Sequence, residues 1–198
     1  MRAVRRALAR RGEPLVPGAC PPVPVSAERL PPDVELTIAT PRLRLAPLVP
    51  ADADDLFQVL DDPRLHRFTG GSPLTRRELG AEISRWQDRR SPDRSQVWLN
   101  WIVRLALDGS AVGYVQASLS GGCATIAYVI GTAHSGQGIA TEASLALCGF
   151  LRERLGVKEL VAHIHPRHSA SGHVARHLGL APTGELDPDG EEIWSSHL

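Results

Sequence analysis

From Gly131 to Glu142 the chain reads Gly131-Thr132-Ala133-His134-Ser135-Gly136-Gln137-Gly138-Ile139-Ala140-Thr141-Glu142. An apolar, strand-like run precedes it and a helical pattern follows, so a Gly-rich turn opens a helix here. Gly136, Gly138 and Ala140 carry little or no side chain, which lets a ligand approach the backbone. The amides of Gln137 to Thr141 would lack intrahelical acceptors and would stand at the positive end of the helix dipole. That is chemistry for holding a phosphate. No Lys-Ser/Thr follows the last Gly, as in a P-loop, and the G-x-G-x-x-G spacing of a dinucleotide cradle is absent.

Other side chains offer further chemistry. His163 and His165 alternate along a strand and share one face, while His173 and His177 stand one helical turn apart. Both are good metal-ligand spacings, but no acidic partner motif accompanies them, and no metal is expected. Ser171 sits where a helix begins and is a natural cap. Trp86, Trp98, Trp101 and Trp194 suit core or groove walls.

These residues need elements to position them. Residues 36–45 alternate like a strand interrupted at Thr40-Pro41, giving an edge or bulged strand. Asp52 can cap a helix through Leu56, Val59 and Leu60, which Asp61-Asp62-Pro63 stops. A second helix is predicted over about 76–90. Strands follow at 98–106, 111–119 and 124–130, the first two joined by Leu107-Asp108-Gly109-Ser110, a hairpin turn. The helix after the Gly-rich turn runs over about 138–155. A strand at 158–164, a helix from Ser169 or Ser171 through His177, and strands at 183–186 and 192–197 complete the chain.

Residues 1–35 differ in composition. Seven of the sixteen Pro lie there, and the first eleven residues hold five Arg and no acid. They read as a basic, Pro-rich arm preceding one domain over 36–198. With 198 residues the chain is about one domain long. Lys+Arg and Asp+Glu are both 22, so formal charge is zero and gives no field for a nucleic-acid partner. No stretch is apolar enough to span or anchor in a membrane, and no apolar core follows the basic start as in a secretory signal. Three scattered Cys argue against a disulfide framework or a Cys-rich zinc module, so a cytoplasmic protein is expected.

Taken together, several segments resemble the GNAT superfamily of N-acetyltransferases, and more narrowly its branch that acetylates ribosomal-protein N-termini. They are Thr40-Pro41-Arg42-Leu43-Arg44-Leu45, Asp61-Asp62-Pro63, Ala127-Tyr128-Val129-Ile130, Ser135-Gly136-Gln137-Gly138-Ile139-Ala140-Thr141-Glu142-Ala143, and Ser171 with Leu178-Gly179-Leu180. The resemblance spans about 36–198. It implies an α/β acyl-CoA N-acyltransferase fold, with a mixed, mostly antiparallel sheet of six to seven strands and helices on both faces.

It also implies acetyl-CoA as acyl donor, and as acceptor a primary amine of a small molecule or a protein N-terminus, in a monomer or homodimer. The implied cofactor site comprises Tyr128, Val129, Ile130, Ser135, Gly136, Gln137, Gly138, Ile139, Ala140, Thr141, His168 and Ser171. Within it, the Tyr128 amide serves the thioester carbonyl and the Ser171 hydroxyl protonates the leaving thiolate. Ser135 and His168 depart from the family's usual residues there (Gln, Arg or Trp, and Asn). Glu191 and Glu192 fall near where relatives place a base, Glu191 being preferred, with His163 as a further candidate. The acceptor groove is expected between residues 52–90 and the 185–192 turn. The competing readings are an acyl-CoA-binding module without turnover and a His-cluster metal protein.

Overall fold

The computed structural model describes residues 36–69 and 71–196. The arm over 1–35 lies outside the described residues. One eight-stranded sheet organises the rest, in the order β1-β2-β3-β4-β5-β6-β8-β7. Its strands are β1 (Ile38–Ala39), β2 (Leu43–Pro47), β3 (Val97–Leu105), β4 (Ala111–Ser120), β5 (Cys123–Ile130), β6 (Glu159–Ile164), β7 (Ala181–Leu186) and β8 (Glu192–Ser196). The helices are α1 (Ala53–Leu60), the short α2 (His66–Thr69), α3 (Arg76–Trp86), α4 (Ile139–Leu155) and α5 (Ser169–His177). Every neighbouring pair is antiparallel except β5 and β6.

The eighth strand comes from Thr40-Pro41. Proline cannot donate to a ladder, so the expected single strand breaks there and folds back as a hairpin, Ile38 opposite Leu45. α3 stops at Trp86, short of the expected 90, and Arg89 and Arg94 follow with φ of 52° and 59°. Asp52 does not cap α1 with its side chain. Its carboxylate instead accepts from the Val49 amide at 3.0 Å and from Arg104 at 2.8 Å.

Strand alternation splits the core into two layers. Trp101 and Val103 join Leu43, Leu45, Ile126, Leu160 and Trp194 on the face that α4 covers with Ile139, Ala143, Leu147 and Leu151, and α5 with Val174 and Ala175. Ile102 and Tyr114 point the other way, onto Leu56 and Leu60 of α1 and Leu79, Ile83 and Trp86 of α3. Cys123, Val161 and Ile193 form a small third cluster. No helix among the described residues is long and apolar enough to cross a membrane.

Candidate active site

The sheet forks at its one parallel pair. β5 and β6 stay in register only through Cys123–Glu159, Ala124–Leu160 and Thr125–Val161. Beyond that point β5 runs on beside β4 to Ile130, while β6 runs on beside β8 to Ile164. A gap therefore opens beside the second half of β5, and residues 127–130 are only partly buried although their strand is central.

The hydrogen-bond phase of β5 decides what faces the gap. Gly131 donates its amide to Val112 O at 2.8 Å, on the β4 side. Alternation turns the Val129 amide to β4 as well, and turns those of Tyr128 and Ile130 into the gap. Two amides on a strand edge thus stand where a carbonyl oxygen or an amide-bearing arm could accept from them. Of the three residues expected to contact the cofactor here, Val129 offers the gap no N–H, and its side chain packs in the α1–α3 layer.

α4 begins just past the end of β5. Gly136 and Gly138 both have φ of 75°, the left-handed region that glycine adopts without strain. Gly138 is the N-cap and provides no side-chain hydrogen bond to the first amides of a 17-residue helix. Ser135, Gly136, Gln137 and Gly138 are exposed, and a Cβ added at Gly136 would meet nothing within 4 Å. An uncapped helix start behind an open, side-chain-poor turn fits a pyrophosphate. Ser135, Gly136, Gln137, Gly138, Ile139, Ala140 and Thr141 are thus one contiguous stretch of turn and first helical turn.

The Thr-Pro-Arg segment is tied to this cradle, which sequence reasoning had left out of the site. Arg42 donates Nε to Glu142 Oε2 at 2.6 Å and Nη1 to Gln137 O at 3.1 Å, and Thr40 donates to Glu142 Oε1 at 2.5 Å. Burial raises the Glu142 carboxyl's pKa, but the hydrogen bonds from Thr40 and Arg42 outweigh it and leave a net lowering. Arg42 Nη2 would lie 3.6 Å from a Cβ at Gly138, so a cation stands beside the cradle. Both residues lie in segments that carry the family resemblance, a hundred residues apart, and that was the available signal.

Across the gap α5 presents Ser171. The N-cap of α5 is His168, whose Nδ1 accepts from the Ser171 amide at 3.3 Å, so Ser171 is not the cap. The Ser171 hydroxyl lies 3.0 Å from Tyr128 Oη, and the phenol donates to Ser171 O at 2.9 Å. With the phenol's proton spent on that carbonyl, the serine hydroxyl is the donor in the second bond. Burial pushes the Tyr128 phenol up to about 12, so it stays protonated at neutral pH. The two hydroxyls close the gap on the α4–α5 face.

Residues 61–68 border the gap on its other side. The Phe68 ring stacks on His168 at 4.4 Å and meets His165 at 5.6 Å, so this segment crosses to the β6 side. Burial lowers the His168 pKa, helped by the charge of His165, which favours a neutral imidazole at the gap. Asp62 fixes the near end: it accepts from Arg64 and from Thr132 Oγ1 at 2.5 Å, the latter two residues beyond β5. Asp61-Asp62-Pro63 is thereby more than a helix stop.

His163 on β6 donates Nδ1–H to Asp187 Oδ2 at 2.9 Å. Asp187 Oδ1 accepts the amides of Asp189 at 2.8 Å and Glu191 at 3.0 Å. Asp187 is buried. Glu191 is partly buried in that turn, and the next residue, Glu192, accepts from Trp194 Nε1 at 3.2 Å. Tyr128, Ser171 and His168 are brought together at the fork, while Glu191 stands in the turn where its amide donates to Asp187. His177 Nδ1 is bonded to His173 O, and among the described residues no group of three or more His, Cys, Asp or Glu could hold a metal ion.

The model of the acetyltransferase (GNAT) domain family matches residues 42–181. An acetyltransferase of the GNAT family from Bacillus anthracis superposes with a TM-score of 0.70 at 16% identity, over 81% of this chain and 97% of that one. A protein from Vibrio cholerae, provisionally assigned as a ribosomal-protein-serine acetyltransferase, gives 0.64 at 22%, over 83% and 98%. The aminoglycoside acetyltransferase AAC(6')-Ib in complex with coenzyme A gives 0.65 at 17%, over 78% and 94%. At these identities the structures show a shared fold, and no curated protein matches the chain in sequence.

Proposed function

The chain belongs to the GNAT acetyltransferase family, and we propose that it transfers the acetyl group of acetyl-CoA to a primary amine of a small molecule or of a protein N-terminus. One observation carries the reading: the fork turns the Tyr128 and Ile130 amides into a gap that ends at the uncapped start of α4. The neighbour with bound coenzyme A supports the choice of donor. The ribosomal-protein neighbour keeps a protein N-terminus among the acceptors, and the aminoglycoside enzyme keeps a small-molecule amine. We place the reaction in the cytoplasm, in a monomer or homodimer.

In this reading Ser135 to Thr141 hold the pyrophosphate, with Arg42 adding charge, and His168 and Ile130 line the pantetheine path. The Tyr128 N–H accepts the charge that develops on the thioester oxygen; one such donor is worth about 2.7–4 kcal/mol in the transition state. Ser171, whose hydroxyl rests on Tyr128 Oη, turns its proton from the phenol to the leaving sulfur as negative charge develops there. The resemblance nominates Glu191, in the turn at the acceptor end, as the carboxylate that takes the amine's proton; its backbone amide meanwhile donates to Asp187 Oδ1 at 3.0 Å.

A free-thiol assay with acetyl-CoA against a panel of amines, with intact-mass confirmation of product, tests the reading. Turnover with at least one primary amine is expected. Acetyl-CoA binding without turnover on any amine or N-terminal peptide would replace it with a binding module.

A further inference from the structure

We propose that the base in this site is His163, oriented by Asp187, and that it takes the proton from the acceptor ammonium; this rests on the acetyl-transfer reading above. The fork itself places the imidazole. Thr125–Val161 is the last pair joining β5 to β6. His163 is the next residue of β6 on the Val161 face, at the level where β5 has already turned away with Ala127 and Tyr128. Its register partner on β8 is Ile193, which clusters with Val161 and Cys123, so the ring lies on the face opposite Ser171. Two residues further along, His165 meets Phe68 of the wall segment. The imidazole therefore stands on the acceptor's side of the gap, and Ser171 on the donor's.

The Asp187 bond gives that imidazole the tautomer a base needs. The two side chains are 8% and 0% exposed. Both carboxylate oxygens are engaged, Oδ2 by the ring and Oδ1 by the Asp189 and Glu191 amides, so the carboxylate orients the ring and does not itself meet the amine. With Nδ1–H donated, the ring's basic lone pair is on Nε2. Glu191 contributes its backbone to this arrangement. Asp187 is bonded to the imidazole, Glu191 follows in the same turn, His165 lies just past the end of β6, and Glu192 is paired opposite Ile164.

Protons and bonds balance as follows. The ammonium loses one proton to His163 Nε2, and the neutral nitrogen forms a C–N bond to the thioester carbonyl carbon. The C–S bond breaks, the thiolate sulfur takes the Ser171 hydroxyl proton, and the second proton that the nitrogen sheds as the amide forms restores that hydroxyl. His163 returns its proton to solvent. The sum is ammonium plus thioester giving amide, thiol and one released proton.

Two measurements on the full chain test this. In 15N-histidine NMR of the free protein, His163 should show the Nδ1–H tautomer, and Asp187→Asn should abolish it. An Nε2–H tautomer in the wild type would overturn the proposal without any acceptor being known. In kinetics with the alkylammonium acceptor found in the amine panel, His163→Gln should lower kcat about 100-fold or more, while the rate with methoxyamine, neutral at assay pH, falls less than about threefold. Asp187→Asn should lower kcat on the alkylammonium acceptor at least ~10-fold, since an imidazole protonated on Nε2 presents no lone pair to it. Equal losses with both amines would assign His163 a structural role. Loss of the acid limb of the kcat/KM profile in Glu191→Gln but not in His163→Gln would return the base to Glu191. Absence of wild-type turnover on every amine would overturn the acetyl-transfer reading, and the base with it, whereas intact kinetics in His163→Gln would overturn the base alone.

Discussion

On the α4 side of the fork the chain offers backbone: the Tyr128 and Ile130 amides, and an uncapped helix start behind two left-handed glycines. On the β6 side it offers side chains: Phe68 against His165 and His168, and His163 on Asp187. A site made of backbone needs small residues at fixed spacing and tolerates few substitutions. A site made of side chains can be rebuilt without moving a strand. The first suits a donor shared by a family of enzymes, and the second suits acceptors that differ among them.

The largest expected effect tests the backbone side. Gly138→Asp puts a carboxylate at the N-cap of α4, where the proposed reading seats the pyrophosphate. Acetyl-CoA affinity measured by calorimetry should fall at least ~100-fold, about 2.7 kcal/mol. A melting curve should show the fold retained with a modest drop in Tm, because φ of 75° strains a non-glycine residue by about 1–2 kcal/mol while the added Cβ meets only Arg42 Nη2 at 3.6 Å. Unchanged affinity would remove the cradle from the cofactor site and erase the contrast between the two sides.

Next comes the pair that spans the gap on the donor face. Ser171→Ala should lower kcat about 10- to 100-fold with little change in acetyl-CoA affinity, because a hydroxyl that acts on the leaving group contributes mainly in the transition state. An unchanged kcat would move the acid to another group, and the Tyr128 phenol, within 3.0 Å of Ser171 Oγ, would be next to replace.

The same division governs what could be read from the residues alone. The Gly-rich turn, the helix behind it and the strand before it were legible because backbone chemistry leaves a local trace of Gly spacing and periodicity. The eighth strand was not, since two residues, Ile38–Ala39, carry too little alternation to count as a strand until Pro41 folds them against β2. His163 was visible as a residue, but its partner was not: Asp187 looks like any turn acid until β8 returns beside β6 and buries it. Phe68 gave no signal at all. Its ring meets one a hundred residues away, and a lone aromatic in a four-residue helix has no period to betray it.

Phe68 also gives the test that sharpens the comparison. Phe68→Ala removes a ring from the acceptor wall and should raise the acceptor KM several-fold, in keeping with the ~0.5–1.5 kcal/mol an aromatic pair contributes. The dissociation constant for acetyl-CoA should move less than KM does. If it moves more, His168 depends on Phe68 to serve the donor, and the division at the fork is less complete than the geometry suggests.

The smallest effect concerns the tie between the two sides, Asp62, which joins the wall segment to Thr132 beyond β5. The Asp62 carboxyl is held well below the usual carboxylate range, first by its hydrogen bonds with Arg64 and then by Thr132. A depressed folded pKa stabilises the fold above the unfolded value, near 3.9, and that contribution is lost as pH falls through the folded value. Asp62→Asn should therefore lower Tm by a constant, small amount between about pH 6 and pH 8. The gap between wild type and variant should begin to narrow only below about pH 4, where the unfolded chain binds the proton first. Arg64 is 77% exposed at the side chain, so solvent screens the ion pair and added salt should shrink the difference further. A Tm gap that persists unchanged to pH 2 would mean that the tie works through neutral hydrogen bonds. In that case Thr132→Val, which keeps the charge pair and deletes the hydroxyl, should reproduce the whole effect of Asp62→Asn.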